Sequence, residues 1–160
     1  MSPANSPHPL ARPQRWGQLT LVENDPGRFD PAFWIDYFTR IKAEGVCLSA
    51  GGVVAYYPTR VPLHHRSAWL ADGDPFGELV RGCRAAGMAV LARTDPHAFH
   101  ADVRDAFPDW AAHDAAGRPR AHWASPEMTV ACPLGPYGFE FMTAVHAEIA
   151  SRYDVDGVFI

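Results

Sequence analysis

The chain has 160 residues, 48% of them hydrophobic and 20% charged, with a net charge of -4. That is enough for one domain with a substantial core, and the composition is globular rather than disordered. The acidic balance argues against a general nucleic-acid surface, and no run approaches the roughly 20 apolar residues of a membrane span.

Residues 1–14 open with "MSPANSPHPL", rich in proline and serine and without the apolar core of a secretory signal. They read as a disordered leader ahead of a domain over residues 15–160, and a cytoplasmic protein is expected. Three cysteines, Cys47, Cys83 and Cys132, form no CxxC pair, so neither a zinc knuckle nor a disulfide framework is indicated. Cys47 and Cys83 fall in apolar runs and read as core residues.

The elements alternate. "WGQLTLV", Trp16 to Val22, is β-rich and ends at Glu23 and Asn24. Asp30 and Pro31 are cap and first residue of a helix, in which Phe33, Trp34, Tyr37, Phe38 and Ile41 recur at helical spacing and Gly45 is the predicted stop. "VCLSA", Val46 to Ala50, is the second strand. Asp74 and Pro75 repeat the cap chemistry, Phe76, Leu79, Val80 and Cys83 line one face, and Gly87 ends that helix. "MAVLART", Met88 to Thr94, is the third strand. A helix over Phe139 to Tyr153, with Met142, Val145 and Ile149 as its stripe, leads to a fourth strand from Gly157.

Apolar strands separated by amphipathic helices predict an α/β fold, a parallel sheet covered by helices. A doubly wound sheet would show a glycine-rich phosphate turn after its first strand; "ENDPGRFDP" has none, so no nucleotide cofactor is expected. The alternative is the N-terminal half, about four βα units, of a TIM-type (β/α)8 barrel, truncated at its fourth strand.

The long segments, Val53 to Gly73 and Asp95 to Pro136, both follow carboxyl ends of strands, where α/β folds handle ligands. "ARTDPHAFH" places Arg93, Asp95 and His97 together, with His100 beyond. They suit a polyhydroxylated ligand, or a helix cap in which Arg93 pairs with Asp95. "AYYPTRVPLHHRSAW" crowds Tyr56, Tyr57, His64, His65, Arg66 and Trp69 into one loop; it reads either as a carbohydrate surface or as a loop packed by its own aromatics. "RPRAHWASPE" adds Arg120, His122, Trp123 and Glu127, and Glu23 closes the first strand. His64 and His65 are adjacent and point opposite ways, so they do not chelate one ion. With no HExxH and no GxSxG pattern, no metal site and no serine nucleophile is expected. "DAAGRP", Asp114 to Pro119, is a structural turn.

Taken together, "LVENDPGRFDPAFWIDYF", "CLSAGGVVAYYPT", "PFGELV", "ARTDPHA", "FPDW", "HWASPE", "LGPYGFEFM" and "SRYDVDGVF" resemble a family of glycoside hydrolases. Its barrel is similar to those of alpha-L-fucosidases and the alpha-amylase clan, and in longer members it is often followed by a beta-galactosidase trimerisation-like domain. The resemblance implies a carbohydrate ligand at the strand ends, with Glu23, Tyr56, Tyr57, His64, Arg93, Asp95, His97 and Trp123 as its binding residues. It implies a catalytic carboxyl pair beyond residue 160, so the fragment is expected to be inactive alone, and it leaves homo-oligomerisation of the full-length parent open. Two other readings stand beside it: a small non-catalytic α/β binding module, and a metal-dependent hydrolase using Asp95, His97 and His100.

Overall fold

Four parallel strands form the sheet of the computed structural model, which describes residues 9–11 and 13–160. The chain runs β1 (Trp16–Leu19), α1 (Pro31–Arg40), β2 (Gly45–Gly52), α2 (Pro75–Ala85), β3 (Ala89–Asp95), β4 (Ala98–Phe99), α3 (Ala101–Ala106), β5 (Thr129–Val130), α4 (Met142–Arg152) and β6 (Gly157–Phe159). The sheet order is β1-β2-β3-β6, while β4 and β5 make a separate antiparallel ribbon. Each sheet strand is parallel to its neighbour and reached through a helix, the right-handed crossover unit of α/β folds. The expected leader falls mainly on residues 1–8 and 12, outside the described residues.

The caps form as their residue types require. The Asp30 carboxylate accepts from the Ala32 amide at 2.9 Å and that of Asp74 from the Gly77 amide at 2.9 Å, each followed by proline at the first helical position. Gly87, at φ +80°, closes α2 in the left-handed conformation that glycine adopts without penalty.

All eight residues of β2 are buried, and Val46, Leu48, Val90 and Ala92 share one hydrophobic cluster with Phe38, Phe76, Leu79, Val145 and Ile149. Burying side chains of this size contributes about 1.5–3 kcal/mol each, so the core sits where β2 and β3 meet α2 and α4. Cys47 and Cys83 are buried free thiols, and burial pushes the Cys83 thiol up to about 11. Arg84 fixes the entry to β6: its guanidinium donates to the carboxylates of Asp154 and Asp156, and Asp156 accepts the Val90 amide at 2.8 Å.

Two expectations about the first helix are corrected. It ends at Arg40, and the left-handed residue that turns the chain is Lys42 at φ 56°. Gly45 instead begins β2, where a Cβ would lie 2.7 Å from the Trp16 ring. The predicted apolar stripe is also rotated. Ile35 seats against Gly82 of α2, where an added Cβ would come within 2.1 Å of it; this close approach turns Phe33, Tyr37 and Ile41 to the surface and leaves Phe38 as the one fully buried residue of α1.

Candidate functional site

Three strands deliver their carboxyl ends to one place, and short hydrogen bonds hold them there. After β1, the Leu21 amide donates to Ser49 Oγ at 3.0 Å, the Leu21 carbonyl accepts from the Tyr56 hydroxyl at 2.9 Å, and the Glu23 carbonyl accepts from Ser67 Oγ at 2.6 Å. The segment after β1 is thereby strapped to the loop after β2. Within β2 the register against β3 shifts between Ser49 and Gly51, a bulge whose extra residue, Ala50, offers its carbonyl to the Tyr56 amide at 2.9 Å. Bulges re-aim the strand end, and this one starts the loop that carries Tyr56. Gly52 then takes φ +114° and passes so near β3 that a Cβ would stand 2.4 Å from the Asp95 carbonyl oxygen.

The result is a cavity of about 430 Å³ at the carboxyl ends of β1, β2 and β3. Glu23, Tyr56, Asp95 and His97 line it together. Arg93 stands behind that wall, its guanidinium bonded to the Asp95 carboxylate at 2.5 Å. Trp123 is outside the lining but next to it, 77% exposed, with its indole stacked on the ring of the lining residue His97 at a centroid distance of 5.7 Å.

Tyr57 and His64 do not reach the cavity. The Tyr57 ring is fully buried, and its hydroxyl donates to Glu148 of α4 at 2.9 Å. Buried His64 accepts the Gly52 amide at Nε2, at 3.2 Å, so its Nδ1 donates to Thr59 Oγ1 at 3.1 Å. Burial drives its pKa down to about 4, which keeps the imidazole neutral. Both side chains hold the loop to the helix layer.

The histidines of the β3 segment separate as well. His97 neighbours His122 and Trp123, whereas His100 stacks on His65 at 4.0 Å, and His65 Nε2 donates to Asp102 at 2.9 Å. Asp95, His97 and His100 are thus not gathered around one point, and among the described residues no group of three or more histidine, cysteine or acidic side chains is placed to hold a metal ion.

Five further residues of the lining come from other parts of these loops: Trp69 after β2, and His122, Ser125, Glu127 and Met128 before β5. The sequence flags Trp69, His122 and Glu127 as chemically able side chains in the right segments. Ser125 and Met128 carry no sequence signal; the antiparallel pairing of β4 with β5 folds their stretch back over the cavity. His122 Nδ1 accepts the Ala124 amide at 3.4 Å, which puts the ring hydrogen on Nε2. That Nε2 is buried and has no hydrogen-bond partner among the described residues.

Electrostatically the cavity is negative. Among the described residues its lining holds the carboxylates of Glu23, Asp95 and Glu127 and no lysine or arginine. Burial raises the Tyr56 hydroxyl pKa, and the nearby charges of Asp95, Asp25 and Glu23 push it further in the same direction. Burial lowers the pKa of His97, outweighing the opposing pull of Asp95.

A parallel sheet wrapped by helices, with a cavity at its carboxyl strand ends, is the arrangement of TIM-barrel enzymes. The fold is similar to alpha-L-fucosidase isoenzyme 2 from Paenibacillus thiaminolyticus, with a TM-score of 0.72 and 21% identity over 91% of this chain and 23% of that one. It is also similar to an alpha-amylase from Lactobacillus plantarum (TM-score 0.56, 16% identity, 88% of this chain and 36% of that one). The maltogenic alpha-amylase AmyB from Thermotoga neapolitana is a third (TM-score 0.59, 17% identity, 90% and 38%). The chain therefore spans less than two fifths of each of these solved chains. Comparison with curated proteins gives no match. Residues 31–160 match the family described as hypothetical glycosyl hydrolase 6, and the chain belongs to that family.

Proposed function

We propose that the cavity at the carboxyl ends of β1, β2 and β3 is part of the carbohydrate site of a glycoside-hydrolase barrel. One observation carries this reading: a single cavity gathers Glu23, Tyr56, Asp95 and His97 from the ends of three successive strands. Carboxylate and imidazole groups hydrogen-bond sugar hydroxyls, Arg93 locks the orientation of Asp95, and the Trp123 face beside the lining stacks on the apolar side of a pyranose.

Hydrolysis requires two carboxyl groups, about 5–5.5 Å apart for retention or about 6.5–9.5 Å for inversion. We assign that pair to the complete eight-stranded barrel rather than to these four strands. The role of this chain is then binding, and the isolated 160-residue chain binds sugar without cleaving it.

Titration of the isotope-labelled chain with D-glucose and L-fucose, followed by NMR, tests the binding half of the proposal. The expected shifts cluster on Tyr56, Asp95, His97 and Trp123. Shifts confined to residues outside that cavity, or none at all, would overturn it. Assay with nitrophenyl glycosides tests the other half: release of nitrophenol by the purified chain would place the carboxyl pair within these strands.

A further inference from the structure

We propose that this cavity selects its sugar by charge, favouring a protonated amino sugar over its neutral parent and rejecting uronic, sulfated or phosphorylated sugars. The inference rests on the carbohydrate reading above and names the substrate class for that same site.

Among the described residues three carboxylates, those of Glu23, Asp95 and Glu127, line the cavity, and no lysine or arginine does. Arg93 is the nearby cation, and it is consumed by its 2.5 Å bond to Asp95. Neither Glu23 nor Glu127 has an ion-pair partner among the described residues. Glu23 is half-buried and Glu127 exposed, and two carboxylates bordering one half-enclosed space without an ion-pair partner attract opposite charges and repel like ones there.

The imidazoles do not reverse that sign. Burial lowers the pKa of His97, so the ring is neutral in the neutral range. His100 lies within electrostatic reach of Glu23, but burial, followed by the charge of His65, lowers its pKa too. His65 is itself committed to Asp102 at 2.9 Å. The Tyr56 hydroxyl, inside the lining, has its pKa raised by burial and further by the charges of Asp95, Asp25 and Glu23, against the opposing pull of Arg93.

The aromatic surfaces act in the same direction. Trp69 and Tyr56 line the space and Trp123 borders it, and the negative face of an aromatic ring attracts an ammonium group while offering nothing to a carboxylate or sulfate. A sugar carrying an amine thus gains from both the carboxylates and the rings.

The test uses four probes of similar size, D-glucosamine, D-glucose, N-acetyl-D-glucosamine and D-glucuronic acid, titrated into the 160-residue chain at neutral pH and followed by NMR. Glucosamine is expected to bind roughly tenfold tighter than glucose, N-acetylglucosamine to return to the level of glucose, and glucuronate to bind roughly tenfold more weakly. The double variant Glu23→Gln with Glu127→Gln should bring glucosamine and glucose together. Glucuronate binding as tightly as glucose, or an unchanged order in the double variant, would overturn the charge selection while leaving the carbohydrate site standing. If none of the four probes binds, the carbohydrate reading fails and this inference with it.

Discussion

The segment after β2 and the segment after β3 draw on the same residue types, tyrosine, histidine and tryptophan, and the Tyr57–His64 stretch of the first is put to the opposite use from the Trp123 stretch of the second. In the first, Tyr57 and His64 are inside the protein; in the second, Trp123 stands 77% exposed beside His97. The difference comes from a partner far away in sequence. Glu148 of α4 accepts from the Tyr57 hydroxyl, Thr59 Oγ1, the Arg60 amide and Arg152, and this one carboxylate pulls the β2 loop down onto the helix layer. Among the described residues no such side-chain anchor reaches the stretch around Trp123, which is held by local backbone bonds, the His122 amide to the Met128 carbonyl at 2.9 Å and the Met128 amide to the Ser125 carbonyl at 2.8 Å, and by ring contact between His122 and Trp123. Composition marks a loop as capable of binding; a single long-range acceptor decides whether its side chains become wall or filler.

Removing that acceptor should have the largest effect. Burial pushes the Glu148 carboxyl pKa up, but its hydrogen bonds outweigh burial and hold it below the usual range, so the group is an anion with four donors around it. Glu148→Ala strands those donors and leaves the Arg152 charge without its partner, at a cost of about 3 kcal/mol. Urea unfolding should show the loss, and hydrogen exchange should show it concentrated in residues 56–64. Unchanged exchange there would mean that the loop stands without α4.

Acid should loosen the same loop from the other side. Unfolded, His64 takes up a proton near pH 6.5, whereas in the fold it resists protonation down to about 4. Its depressed pKa means that stability is full above pH 6.5 and declines as the pH falls towards 4, by about 3 kcal/mol over the whole interval. Glu148 works in the same sense at lower pH, since protonation removes an acceptor. Urea midpoints across this range check the slope, and His64→Phe should flatten it. At the start of the same loop stands Tyr56, which lines the cavity yet is strapped to the Leu21 carbonyl by its hydroxyl at 2.9 Å. Tyr56→Phe removes one hydrogen bond and should cost about 1 kcal/mol in the same measurement.

The contrast also marks what a sequence can reveal. Strand order and helix placement are legible because burial writes its period into the chain, and Asp30-Pro31, Asp74-Pro75 and Gly87 announce helix ends through local chemistry. The segments that form the cavity are legible too, since they are long and follow strand ends. What is hidden is every feature set by a distant partner. Glu148 lies 91 residues from Tyr57, so nothing near Tyr57 signals its burial. Gly45 looks like a helix stop until Trp16 is seen to occupy the space above it, and the face of α1 turns on Ile35 meeting Gly82. Ser125 and Met128 enter the lining only because β4 and β5 pair.

Trp123 offers the sharpest separation of the two loops, because its expected effect on stability is the smallest. With 77% of its surface in water it buries little apolar area, so Trp123→Ala should leave the urea midpoint within about 0.5 kcal/mol of the parent. Ligand binding should nevertheless fall roughly threefold to tenfold, the loss of one aromatic stacking contact, measured as weaker NMR shifts on titration with D-glucose. The same truncation at Tyr57 should do the reverse, unfolding the loop because its ring and hydroxyl are both engaged with the interior. If Trp123→Ala instead destabilises the fold and spares binding, then the indole is packing material for His97 and His122, and the stretch around it is filler as Tyr57 and His64 are.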